Sequence, residues 1–225
     1  MNILAIESTG PVAGAAIVNP DRIIAEFSIN NKLTHSQVLL PLINNMLTAA
    51  EFDKNRIDLI ACSSGPGSFT GLRIGAAVAK GLAFGLGKKI VPVATLDVLA
   101  YNNLDGKIAV PIMDARRGQV YTALYYCFDG KIDRQTEYMA CDFDEILSIA
   151  NGYADGKVTF LGDGVAVFRE KILAAGLDIA PAQNMFQKAS NVGAIALDIA
   201  HTAVDAADFA PFYIRPSQAE REFGA

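Results

Sequence analysis

The chain reads as a duplicated α/β fold, two lobes that each open with a strand meander and continue into helices. Three observations predict it. Short apolar runs separated by turn residues come in threes at two places, Ile3–Ile6, Val12–Val18 and Ile23–Ile29, then Ile108–Met113, Val120–Tyr126 and Ile132–Met139. Helical runs follow each set. With Ile3 laid on Val110, Glu7 falls on Asp114 and Ile17 on Leu124 without a gap, so each copy ends its first strand on a carboxylate. Two domains are expected, 1–104 and 105–225, with a cleft between them.

Composition supports a folded, water-soluble chain. Of 225 residues 52% are hydrophobic and 19% charged, enough apolar side chains for a core. A net charge of −5 argues against a stand-alone nucleic-acid binder, which carries a basic face. Cys62, Cys127 and Cys141 form no CxxC pair, so neither a disulfide framework nor a zinc site is indicated. No basic leader precedes the strand Asn2–Ile6, and the apolar segment Ile74–Leu86, interrupted by Lys80, is short for a bilayer. A cytoplasmic protein is expected.

In order, the first meander leads to a helix from His35 to Ala50, which Thr34 can cap. A buried strand, Leu59–Cys62, enters the loop Gly65-Pro66-Gly67-Ser68-Phe69-Thr70-Gly71. Ser68 or Thr70 can cap the helix Leu72–Leu86 that follows, and Gly87 ends it. Ile90–Val93 is a strand, and a helix from Thr95 to Tyr101 precedes the boundary loop. The second meander is followed by a helix near Phe143–Ala150, a strand Val158–Leu161, a Gly162-Asp163-Gly164 turn and a helix Val165–Ala175. Ser190 can cap a last helix, Val192–Val204, before a short strand at Phe212–Ser217.

The glycine loop fails both strict phosphate patterns. Thr70 stands where a Walker A loop has its second glycine, and no lysine follows Gly71; a dinucleotide loop would need glycine at position 70. The helix it launches is the more unusual feature. Gly71, Gly75, Gly81 and Gly85 each cost up to ~1 kcal/mol in a helix interior, so something must sit very near it. Arg73, Ala77, Lys80 and Phe84 share one stripe, and Ala76 is among the small residues of the remaining face. On the preceding helix Leu39, Leu42, Ile43 and Met46 keep core spacing, while Val38 and Leu40 widen the apolar arc and Pro41 bends the helix. Both helices pack within the domain, or they build a partner surface from His35, Leu39, Leu42, Ile43, Met46, Arg73, Ala76, Ala77, Lys80 and Phe84.

Catalytic signals are sparse. A metal-binding helix needs ligands at i and i+4, and Leu39 stands four residues after His35. Glu7 and Asp114, with Ser8, Thr9, Gly162, Asp163 and Gly164, form a candidate vestigial nucleotide cleft, where two carboxylates could hold Mg²⁺ and a nucleotide. As plain strand-end caps and turns they have a structural reading as well.

The runs Ile3–Thr9, His35–Ile43, Ser64–Gly75, Met113–Tyr121, Leu161–Gly164 and Tyr213–Ala219 resemble, in order and over nearly the whole chain, the bacterial YeaZ/TsaB family of tRNA threonylcarbamoyladenosine proteins. The resemblance implies an actin/Hsp70/sugar-kinase-like fold. It also implies a non-catalytic subunit that binds and activates the catalytic subunit TsaD alongside the ATPase TsaE. Together these transfer threonylcarbamoyl from its adenylate to an adenosine beside the anticodon. Alone, such a subunit forms homodimers through the same helices; it meets tRNA only through the complex and needs no membrane, no metal and no cofactor beyond weak ATP or ADP binding. The alternatives are an ATP-dependent phosphotransferase or ATPase using Glu7 and Asp114, and a glycopeptidase-like metalloprotease, which Leu39 disfavours.

Overall fold

The structure is a computed structural model and describes residues 1–31, 33–103, 108–153 and 157–215. In chain order the elements are β1 (Ile3–Glu7), β2 (Ala13–Val18), β3 (Ile23–Ile29), α1 (His35–Ala49), β4 (Leu59–Gly65), α2 (Phe69–Leu86), β5 (Ile90–Ala94) and α3 (Thr95–Ala100). There follow β6 (Ile108–Asp114), β7 (Gln119–Thr122), β8 (Tyr125–Phe128), β9 (Lys131–Arg134), β10 (Met139–Asp142), α4 (Phe143–Asn151), β11 (Val158–Leu161), α5 (Val165–Ala174), β12 (Asp178–Ile179) and α6 (Ala189–Asp198). Two compact units result, Met1–Val98 with Phe186–Pro211, and Leu99–Met185 with Phe212 onward. The expected boundary at 104/105 lies outside the described residues. What spacing did not reveal is that 186–211 returns to the first unit, where α6 packs on β1 and β2.

The first unit is a five-stranded sheet in the order β3-β2-β1-β4-β5. Its first three strands form the expected antiparallel meander, and β4 and β5 add in parallel. Strand residues alternate faces. Leu4, Ile6, Ala13, Ala15 and Ile17 therefore meet α1 and α2 in one apolar core, while Ala5 and Val18 turn to α6 at Gly193.

The second unit repeats the plan in the order β10-β7-β6-β11-β12, with β8 and β9 joined at β6. Its meander differs in two ways from expectation. The strand expected over Val120–Tyr126 breaks into β7 and β8, although both keep one register on β6, from Asp114 opposite Val120 to Ile108 opposite Tyr126. At the break the Leu124 N–H donates to Thr136 Oγ1 at 3.0 Å and its carbonyl accepts from Gln135 N–H at 2.7 Å, so the third strand also splits, into β9 and β10. Second, Glu7 pairs with Gly14 but Asp114 pairs with Val120, not with Tyr121 as the ungapped overlay requires; the second turn is one residue shorter. Phe143 stacks on Phe168 at 4.1 Å in this unit's core.

Helix ends also shift. Thr34 precedes α1 without a side-chain cap bond; its hydroxyl pairs with Ser36 Oγ at 3.0 Å. Ser190 lies inside the first turn of α6 and its N–H donates to Glu26 Oε1 at 2.8 Å. That helix ends at Asp198, because Val204 turns back to bridge Ile90 at the sheet edge. Residues 212–215 form no strand, and the end of the expected one lies outside the described residues. Helix α2 has 18 residues with a mean hydropathy of 1.2, longer than the apolar segment first delimited and long enough by that measure to cross a membrane. It packs instead over β4, with Gly71, Leu72, Gly75, Ala76, Ala79 and Ala83 buried.

Candidate functional site

Helix α2 is held at its start by the turn after β1. Ser68 Oγ accepts the Gly71 N–H at 3.3 Å and so caps the helix. The Ser68 N–H donates to the Thr9 carbonyl at 2.8 Å, and Ser8 Oγ donates to the Gly71 carbonyl at 2.9 Å. A Cβ at Gly71 would collide with the Ser8 carbonyl oxygen, and one at Gly75 with the Ser8 hydroxyl. The close neighbour of these two glycines is thus the chain's own β1–β2 turn. Around Gly81 and Gly85 there is nothing within 4 Å of an added Cβ. The residue of the loop with positive φ is Gly65, at +128°.

Glu7 anchors that turn. Its carboxylate is fully buried; Oε1 accepts the Thr9 N–H at 2.6 Å and the Thr9 hydroxyl at 2.5 Å, and Oε2 accepts the Ser63 hydroxyl. Burial pushes its pKa up, against the Ser63 and Thr9 hydroxyls and the Thr9 and Ser8 N–H groups, which pull it down. Burial, and then the charge of Glu7, pushes the neighbouring Cys62 thiol up as well.

In the second unit Asp114 Oδ1 accepts the Arg116 N–H at 2.8 Å, and Oδ2 lies 3.2 Å from Arg116 Nη1. It caps its hairpin. Asp163 sits in the Gly162–Gly164 turn, whose backbone rests on β6: Gly164 N–H donates to the Ile112 carbonyl at 3.1 Å, and a Cβ on Gly162 would strike the same oxygen. Burial raises the Asp163 pKa to about 6, helped by the Asp114 charge and opposed by backbone N–H groups of Asp114, Asp163 and Gly164.

The structure divides the expected interface. Leu39, Ile43, Met46 and Ala76 are buried in their own core, since α1 and α2 cover the sheet with that stripe. His35 Nε2 bonds the Gly10 carbonyl at 2.8 Å. Lys80 Nζ donates to the carbonyls of Ala207 and Phe209 at 3.0 and 2.8 Å, so its ammonium fastens the returning segment. Leu42 lies half-buried beside β3. Arg73, Ala77 and Phe84 remain exposed; Phe84 at 87% is the most exposed of the large apolar side chains described. Arg73 lies 4.0 Å above the Phe69 ring. Leu40, read from the sequence only as widening the apolar arc of α1 and left out of the expected surface, is 51% exposed and lies near Gly81 and Gly85. These line a hollow of about 270 Å³ between α1 and α2, together with Asn44 and Leu47. Its signal was available in the two glycines four apart beside Phe84.

The strand orders and the repeated meander define the duplicated α/β class expected from the sequence, and that fold is seen in YeaZ from Pseudomonas aeruginosa, with a TM-score of 0.78 and 23% identity over 95% of this chain and 99% of that one. Residues 22–221 match the family described as TsaD, tRNA N6-adenosine threonylcarbamoyltransferase. Within that class, the tRNA threonylcarbamoyladenosine biosynthesis protein TsaB of Bacillus subtilis is 36% identical over 76% of this chain and 75% of its own. TsaB of Escherichia coli is 35% identical over 56% of this chain and 55% of its own. The chain belongs to the TsaB/YeaZ family.

Proposed function

We propose that this chain is a non-catalytic subunit in tRNA N6-threonylcarbamoyladenosine synthesis that binds and activates the catalytic subunit TsaD. The exposed face of α2 is the contact: Arg73, Ala77, Gly81, Phe84 and Gly85, with Leu40 and Asn44 of α1 beside it. The observation that carries this is Phe84, a large apolar side chain left in solvent next to glycines that admit close backbone approach and a hollow that admits a side chain. The non-catalytic reading is supported by α1, where His35 is bonded to the Gly10 carbonyl and Leu39 faces the core. The ATPase TsaE joins the same assembly, tRNA is reached through it, and the isolated chain pairs with itself through these helices.

Modification of tRNA rebuilt from purified TsaD, TsaE and this chain tests the role. Activity should require the chain and be lost with Phe84→Asp, alongside loss of co-purification with TsaD. Full activity without the chain, or an unaffected Phe84→Asp complex, overturns the assignment. Steady Mg-ATP hydrolysis by the isolated chain, lost in Glu7→Ala, would favour the phosphotransferase reading.

A further inference from the structure

Helices α1 and α2 begin at the same end of the first unit's sheet. Strand β4 is parallel to β1, and β3 runs the same way because β2 opposes both β1 and β3. The two helix starts are tied to one turn, Glu7-Ser8-Thr9-Gly10. Helix α2 is tied twice, by the Ser8 hydroxyl donating to the Gly71 carbonyl at 2.9 Å and by the Ser68 N–H donating to the Thr9 carbonyl at 2.8 Å. Helix α1 has no side-chain cap bond, and its first residue ties it instead: His35 Nε2 donates to the Gly10 carbonyl at 2.8 Å. The turn is braced on both sides. Glu7 joins Thr9 to Ser63 of β4, and the buried Gln187 amide lies against Gly10, 2.7 Å from where a Cβ would stand. The turn is thus a fixed common origin for both helices.

The hollow between the helices lies far from that origin. Its walls include Asn44 and Leu47, nine and twelve residues beyond His35, and Gly81 and Gly85, ten and fourteen beyond Gly71. At ~1.5 Å of rise per residue this is roughly 14–21 Å along the helices, so a tilt of about 4° at the tied end moves a wall of the hollow by about 1 Å. A gap of that size forfeits about a quarter to a half of the attraction of each atom pair it opens. We propose that His35 is a positioning residue for TsaD binding: by fixing the start of α1 to the turn that holds α2, it sets the width of the hollow without itself touching the partner. Its ring nitrogen is spent on Gly10 of its own chain, which removes it from the contact surface on which spacing placed it. The apolar stripe Leu39, Ile43 and Met46 keeps α1 on the sheet when the tie is cut, so the helix shifts rather than unfolds. The inference rests on the reading that the α1–α2 face contacts TsaD.

The test titrates the full chain with TsaD, at a temperature where circular dichroism shows each variant folded. His35→Ala should raise the Kd at least fivefold. His35→Gln, whose amide N–H can reach the Gly10 carbonyl as Nε2 does, should stay within twofold of the parent. Combination with Leu40→Ala, which strips a wall of the hollow, separates positioning from contact. Residues that act through one shared structure couple, whereas independent contacts add, so the loss from His35→Ala should shrink in the Leu40→Ala background. Where His35→Ala does not fold, Ser8→Ala, which frees α2 from the same turn, should give the same fivefold loss and the same coupling. Parent-like affinity in these variants, or losses that simply multiply with Leu40→Ala, overturns the proposal. Phe84→Asp keeps the two readings apart: lost binding there with parent-like His35→Ala sinks this inference alone, while parent-like binding of Phe84→Asp sinks the contact face and this inference with it.

Discussion

The Ser8 side chain occupies the space where Gly75 would carry a Cβ, and its hydroxyl donates to the Gly71 carbonyl at 2.9 Å, so the turn after β1 and the first turns of α2 are packed backbone on backbone. The four glycines of α2 thereby fall into two pairs with opposite expected behaviour.

Gly71→Ala and Gly75→Ala should each cost about 1–3 kcal/mol, since the methyl group can be housed only by moving Ser8. Gly81→Ala and Gly85→Ala should leave the isolated chain level or more stable by about 0.5–1 kcal/mol, because their Cβ positions are open and alanine favours helix. Urea denaturation of the four variants checks the pairing. The outer two should nonetheless weaken TsaD binding.

Met46 and Phe84 separate core from contact. Met46→Ala should cost about 2–5 kcal/mol by leaving a cavity, as Met46 is fully buried. Phe84→Ala should change stability by no more than about 0.5 kcal/mol. Thermal melts and binding read together should show opposite ranking of the two substitutions.

Asp163 should make stability fall as pH rises. A carboxyl whose folded pKa is raised holds its proton more tightly folded than unfolded. Its stabilising share is present below its ordinary value of 3.8 and lost as pH climbs through about 6. Asp163→Asn should flatten the stability profile across that window, by at most on the order of 2–3 kcal/mol. An unchanged profile would remove Asp163 as its source.

Thiol chemistry should be slow in the folded state. Cys62, Cys127 and Cys141 are all buried, and burial lifts Cys141 to about 11 and Cys62 further still. Labelling at pH 8 should proceed only at the rate of unfolding, and should accelerate in denaturant for all three together.

Much of the fold was legible because it rests on local patterns. The start of β1, the bounds of β3, the start of α1 at His35, the Ser68 cap and the left-handed Gly87 at φ 64° follow from alternation, helical spacing and terminus chemistry. The candidate site was half legible. Phe84 and Ala77 were found as apolar residues on a charged stripe, and both are exposed. Leu39, Ile43 and Met46 carried the same apolar signal but belong to the core, since hydrophobicity gives the face of a helix and not what covers it. Leu40 was read as part of the apolar arc but not placed on the expected surface, for the same reason.

The sequence by itself determined the family, through its whole motifs, and the duplicated α/β plan with the approximate place of each main helix, because turn residues, periodicity and caps act within a few residues of chain. Tertiary structure decided which glycines are crowded and which are open, that Lys80 holds the carbonyls of Ala207 and Phe209, and that the second meander breaks at Leu124. Those outcomes depend on groups tens of residues apart competing for one space or one hydrogen bond, and no local pattern encodes such competition.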